Sequence, residues 1–206
     1  MRPRTTNSEK EAKRTAIVSA AAAVFARQGF IRTRVADIAT EADVGKGTLY
    51  EYFSSKDELF FAVFDELHHQ TMQALHREVD AGGGARDMLQ RLFATGARIV
   101  RDQVEQQAVV LDFWAASRGN TLEERFHEAC VTSYGVYREL TARILEHGKN
   151  TGEIRTEIDS DALAVMIVAA FDGLGVQLFF DRRMQVEHIV QSMLDALCGG
   201  ICVNPG

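Results

Sequence analysis

Apolar side chains recur every three or four residues along almost the whole chain, the spacing that lines one face of a helix. A first helix is predicted over about residues 9–28, with Ile17, Ala20, Ala21, Val24 and Phe25 on one side and Gly29 placed to end it. Two short helical stretches follow, at about 35–42 and 46–53. Ser55 and Glu58 have capping-box spacing and open a helix that runs from Lys56 to about Asp80, where Gly82, Gly83 and Gly84 break it. Helices over about 85–103 and 104–117 come next. Thr121 and Glu124 form a second capping box for a long helix that ends at His147 and is interrupted by residues 148–158. Helices over 160–180 and 186–201 complete the prediction. The only two prolines among 206 residues are Pro3 and Pro205, so nothing between them forces a break, and an all-α fold of about nine helices is expected.

Composition changes this picture little: 46% hydrophobic and 25% charged residues suit one large domain or two small ones. The distribution of charge matters more. The formal net charge is -6, yet residues 1–56 hold ten Lys or Arg against six acids. A basic end on an acidic body points to a polyanionic partner for that end alone. Cys130, Cys198 and Cys202 form no CxxC pair and leave one thiol over, which argues against a disulfide framework or a zinc site and fits a reducing cytoplasm. The longest unbroken apolar run, 162–171, has ten residues where a bilayer span needs about twenty, so neither a membrane span nor a signal peptide is expected.

The stretch from Arg34 to Phe53 reads as helix, tight turn, helix. Val35, Ile38, Ala39, Val44, Leu49 and Phe53 can share one small core with Phe25. Two short helices packed in this way form a helix-turn-helix unit, whose second helix lies in the major groove of DNA. With Leu49 and Phe53 inward, Gly47, Thr48, Tyr50, Glu51 and Tyr52 face outward. Gly47 lets the backbone approach a base edge, Thr48 can bond a base or touch a thymine methyl, and tyrosine hydroxyls suit phosphate oxygens. Lys46 and Lys56 add positive charge at helix starts that already attract anions.

The segment IRTRVADIATEADVGKGTLYEYFSSKDELF (Ile31 to Phe60), preceded by Ala22, Phe25, Gly29 and Phe30, resembles the DNA-binding domain of TetR-family transcriptional regulators. LDFWAASRG, HGKNTGEIR and FDGLGVQLFFD resemble, more weakly, the ligand-binding and dimerisation part of one large branch. The resemblance implies a helix-turn-helix DNA-binding domain over residues 1–55 and a ligand-binding and dimerisation domain over 56–206. It further implies a homodimer that binds a palindromic operator on double-stranded DNA and represses until a small-molecule effector releases it. By position, the DNA-contacting residues are Thr33, Arg34, Lys46, Gly47, Thr48, Tyr50, Tyr52 and Lys56. Two positions depart from the family pattern: Asp43 stands where a turn glycine is usual and Gly45 where a serine cap is usual. Asp43 is expected in a left-handed conformation, which aspartate tolerates better than most residues.

In the body, the helix over 160–180 is apolar around nearly its whole circumference and must be covered on two sides. Its small residues allow close helix approach, and Val186, Ile189, Val190, Met193, Leu194 and Leu197 give the last helix its own stripe. A dimer through these two helices would bury both. The middle helices gather large side chains, of which Phe64, Phe93, Phe113, Trp114, Tyr134 and Tyr137 are candidates to line the effector cavity, with His68 and Asp112 as its polar groups. A rival reading is a helical di-iron carboxylate enzyme using the pairs Glu66/His69 and Glu124/His127, the Glu-x-x-His spacing of such bundles. On a helical wheel Glu124 and His127 fall opposite Leu122, Phe126, Ala129, Val136 and Leu140, and Glu66 and His69 fall outside the face of Phe60, Phe64, Leu67 and Leu75, so both pairs are expected in solvent. No phosphate loop or nucleophile elbow occurs, and no catalytic residue, metal or cofactor is expected.

Overall fold

A computed structural model describes residues 7–116 and 123–203. Within them the chain forms α1 (Asn7–Gln28), α2 (Val35–Glu41), α3 (Lys46–Tyr52), α4 (Lys56–Asp80), α5 (Ala85–Asp102), a 3₁₀ turn (Val104–Gln106), α6 (Gln107–Ala116), α7 (Glu123–Thr151), α8 (Ser160–Phe180) and α9 (Val186–Ile201). The predicted helix over 104–117 therefore starts with a 3₁₀ turn. Its last residue, Ser117, lies outside the described residues, as do Thr121 of the second capping box, Leu122, Arg2, Arg4, Pro3 and Pro205.

The chain divides into two compact units. One comprises residues 1–68 and 106–127, the other residues 69–105 and 128–206. These limits differ from the boundary after residue 55, because large aromatic residues of α4, α6 and α7 join the core of the first unit. Phe60 is fully buried there, with ring centroids 5.1 Å from Phe25, 4.3 Å from Phe30 and 5.8 Å from Phe113. Phe64 stacks on Phe113, and Phe113 lies 4.4 Å from Phe126. Such pairs add to plain area burial.

The start of α4 holds half of the expected capping box. Ser55 Oγ accepts from the Glu58 N–H at 3.1 Å, but the Glu58 carboxylate turns to Ser54, taking its hydroxyl at 2.6 Å and its N–H at 2.8 Å. These bonds, the Ser54 hydroxyl first, hold the Glu58 carboxyl below the ordinary range.

In the second unit, Leu89, Leu92 and Phe93 of α5, Leu140, Ile144 and Leu145 of α7, Ile167, Leu174 and Leu178 of α8 and Val190, Leu194 and Cys198 of α9 form one core. The long helix α7 does not end at His147. It continues through Gly148 to Thr151, because Gly148 serves close packing: a Cβ there would lie 2.6 Å from Ala85 Cβ and from Ile154. The helix stops at Gly152, whose φ of 78° few other residues adopt. Beyond it, the Glu153 carboxylate accepts the N–H groups of Ala85 at 3.1 Å and Arg86 at 3.4 Å, capping α5, and the Ala85 bond leads in holding that carboxyl below the usual range. Ile154 pairs with Cys202 in an isolated antiparallel bridge that ties this segment to the end of α9. All three cysteines are free thiols.

Helix α8 buries Ser160, Ala164, Ile167, Leu174, Gly175 and Leu178 along one stripe. Its far side leaves Val165, Met166 and Phe180 exposed, Met166 at 67% and Phe180 at 76%. By length and composition α8 could cross a membrane, although the unbroken apolar run within it is shorter.

Candidate nucleic-acid interface

Local sequence dictates the geometry of α2, the turn and α3. Ile38, Ala39, Leu49 and Phe53 are buried with Phe25, while Val35 and Val44 are half-buried at the edge of that core. Between the helices Asp43 takes a φ of 52°, the left-handed position expected of it. Its N–H reaches Thr40 O at 3.2 Å and that of Val44 reaches Ala39 O at 3.0 Å, which closes the turn. Gly45 is the N-cap of α3 and offers no side-chain bond.

Leu49 is the one buried residue of α3. Opposite it, Lys46, Gly47, Tyr50 and Glu51 are exposed, and Thr48 and Tyr52 are half-buried at the flanks. Nothing lies within 4 Å of where a Gly47 Cβ would stand, so the start of the helix is open. Lys46 Nζ sits 5.9 Å from the Tyr50 ring, one turn along the same face. Arg34, just before α2, is exposed, and its N–H bonds Asp37 Oδ2 at 3.1 Å.

Two predicted contact residues are occupied with the protein itself. Thr33 is only 3% exposed, and its hydroxyl donates to Gly29 O at 2.8 Å, so it shapes the turn between α1 and α2 rather than presenting a free hydroxyl. Lys56 Nζ donates to Phe30 O at 2.8 Å and Thr33 O at 3.2 Å and lies 4.3 Å from the Phe30 ring centroid. It clamps that turn while keeping its positive charge there.

The candidate effector residues divide between the units. Phe64, His68, Asp112, Phe113 and Trp114 belong to the first, and Phe93, Tyr134 and Tyr137 to the second. Phe113 and Phe93 are buried core. Asp112, the other polar candidate, has its Oδ2 accepting the Phe30 N–H at 2.6 Å. His68 stacks parallel to Phe64 at 6.3 Å. Tyr134 and Tyr137 are half-buried and meet edge to face at 6.3 Å. Tyr134 also donates to Asp172 of α8, an acid absent from the predicted site. The signal for it was an aspartate midway along a helix otherwise apolar from Ala162 to Phe180, save Gln177.

The model for bacterial regulatory proteins of the tetR family matches residues 17–63, and that for the C-terminal part of BetI-type transcriptional repressors matches residues 85–199. The chain belongs to the TetR family. Among its relatives, the HTH-type transcriptional repressor KstR2 of Rhodococcus jostii is 31% identical over 166 residues, covering 76% of this chain and 75% of that protein. A transcriptional regulator from Saccharomonospora viridis, solved in complex with choline, is 25% identical, with a TM-score of 0.77 over 95% of this chain and all of that one. The regulator FadR of Bacillus subtilis, solved with stearoyl-CoA, has the same fold at 23% identity, with a TM-score of 0.77 over 91% of this chain and 98% of that one.

A TetR-family chain is a ligand-responsive, DNA-binding transcriptional regulator, and the di-iron enzyme reading finds no support beside it. Among the described residues no three His, Cys, Asp or Glu side chains cluster as a metal site would require. His69, Glu124 and His127 are exposed and Glu66 is half-buried.

Proposed function

We propose that the protein is a repressor that binds a palindromic operator as a homodimer and releases it when a small molecule binds. The observation that carries this reading is the outward face of α3, where Lys46, Gly47, Thr48 and Tyr50 stand opposite a single buried anchor. Arg34, Tyr52 and the charge of Lys56 extend that surface to phosphates on either side. Thr33 contributes through the turn that it and Lys56 hold, not through its hydroxyl. The functional division runs between a DNA-binding part, 1–55, and a ligand-binding and dimerisation part, 56–206.

The dimer forms through α8 and α9. Val165, Met166, Phe180 and Ile189 are exposed apolar side chains on these helices, and a second copy of the same stripe would cover them by two-fold symmetry. Such a dimer carries two α3 helices, whose separation must match DNA half-sites about one helical turn or its multiples apart. Helix α4 is continuous from Lys56, beside the DNA-contacting turn, to Asp80, so an effector that shifts it alters that spacing and lowers operator affinity. The relatives were solved with ligands as different as choline and stearoyl-CoA, so kinship leaves the chemistry of the effector open. The protein acts in the cytoplasm, with no catalytic step of its own.

Selection of bound DNA from a random pool tests the reading. A palindromic consensus is expected, and failure to retain any duplex at low ionic strength overturns it.

A further inference from the structure

We infer that Asp112 is a positioning residue for operator binding, which holds the turn between α1 and α2 through the Phe30 N–H and makes no contact with DNA itself. This inference rests on the operator-binding reading above. The main chain of Phe30 is gripped from both sides by opposite charges. Asp112 of α6 accepts its N–H at 2.6 Å, and Lys56 at the start of α4 donates to its carbonyl at 2.8 Å and to that of Thr33 at 3.2 Å. The Phe30 ring stacks on Phe60 of α4, with centroids 4.3 Å apart. The two helices that supply these groups are fixed to each other as well. Phe113, the next residue after Asp112, stacks on Phe64 of α4 with centroids 3.6 Å apart and planes 9° apart.

What this turn delivers is the start of the helix-turn-helix. Arg34, one residue beyond the Thr33 carbonyl held by Lys56, is the N-cap of α2 and is exposed. Phosphate contacts set the register of a protein on a duplex, and a contact surface performs only when the groups behind it are held to about 0.5 Å. A turn released on its N–H side shifts Arg34 and the first turn of α2 against that register. Charge alone predicts the opposite: an acid in the DNA-binding unit repels phosphate, so its removal would tighten binding. A group that served only to direct an effector would leave operator affinity unchanged when no effector is present. The sign of the change therefore separates the three roles.

Asp112→Asn and Asp112→Leu remove the same charge and keep the branched outline, but only the asparagine oxygen can accept the Phe30 N–H. Asp112→Ala is a second variant without an acceptor. Each variant is compared with the wild type by circular dichroism and melting, and then by fluorescence anisotropy without effector, against the selected operator and a scrambled duplex of equal length. Asp112→Asn is expected to bind the operator within about threefold of the wild type, and Asp112→Leu and Asp112→Ala about tenfold or more weakly. Affinity for the scrambled duplex should change by less than about threefold, because non-specific binding follows charge rather than register. Operator affinity in the leucine and alanine variants equal to that of Asp112→Asn, or above the wild type, overturns the inference. So does a proportional fall on both duplexes, which marks loss of folded protein, or failure of both acceptor-free variants to fold. A wild-type chain that retains operator while these variants behave alike fails this inference alone, whereas one that retains no duplex fails the operator-binding reading and this inference with it.

Discussion

Helices α3 and α8 bury their side chains by opposite means. Seven residues make up α3, and the single buried Leu49 holds it to a core shared with Phe25, Ile38 and Phe53. Twenty-one residues make up α8, apolar on nearly every side, yet only six of them are buried. In α3 the polar and apolar positions are already separated along the chain, so the face left over for DNA follows from which residue anchors. In α8 they are not, and only packing against the rest of the second unit decides which stripe is core and which is left to a partner. A helix whose chemistry is segregated shows its working face directly, while a uniformly apolar one acquires its faces from neighbours.

The largest effect expected from testing this contrast comes from the anchor. Leu49→Ala should destabilise the head by about 2–5 kcal/mol, read as lost melting temperature or denaturant midpoint. Unchanged stability would mean that the helix presents another face to its core. Next is the uncovered stripe of α8: Met166→Glu should weaken self-association by about tenfold or more, measured by sedimentation equilibrium, while the monomer keeps its helical content. A variant that dimerises as before moves the interface away from α8. The smallest effect concerns a single charge on the outer face of α3. Lys46→Ala should leave stability in place but flatten the dependence of log operator affinity on log salt by about one unit, if the lysine meets one phosphate.

Most of the fold was legible because helix periodicity and capping are local. The bounds of α8 and α9 fall where the apolar spacing placed them, and the left-handed Asp43 followed from a turn with no glycine at that position. The error at His147 has a tertiary cause: Gly148 looks like a terminator in one dimension and is a packing residue in three, because Ala85 and Ile154 press against it. The outer face of α3 was legible for the same local reason as its anchor. Spacing did not show that Thr33 and Lys56 bond the Gly29, Phe30 and Thr33 carbonyls, because these belong to a turn whose path no spacing rule describes.

The candidate effector residues depend most on distant parts of the chain. Asp112 is an acid between apolar neighbours whose hydrogen bond spans 82 residues to the Phe30 N–H, and Asp172 has the same signature with Tyr134 as a hydrogen-bond partner. An isolated acid in an apolar helix announces only that something must compensate it. Whether that is a backbone N–H, a tyrosine or a ligand depends on what the fold brings near.

Residue order alone determined that the chain is helical, where α8 and α9 lie, and that a small polar surface near its start faces away from a leucine anchor, because each of these depends on neighbours three or four positions apart. Tertiary structure alone decided which side of α8 is core and that the Asp112 carboxylate accepts the Phe30 N–H, because those outcomes depend on residues tens of positions distant.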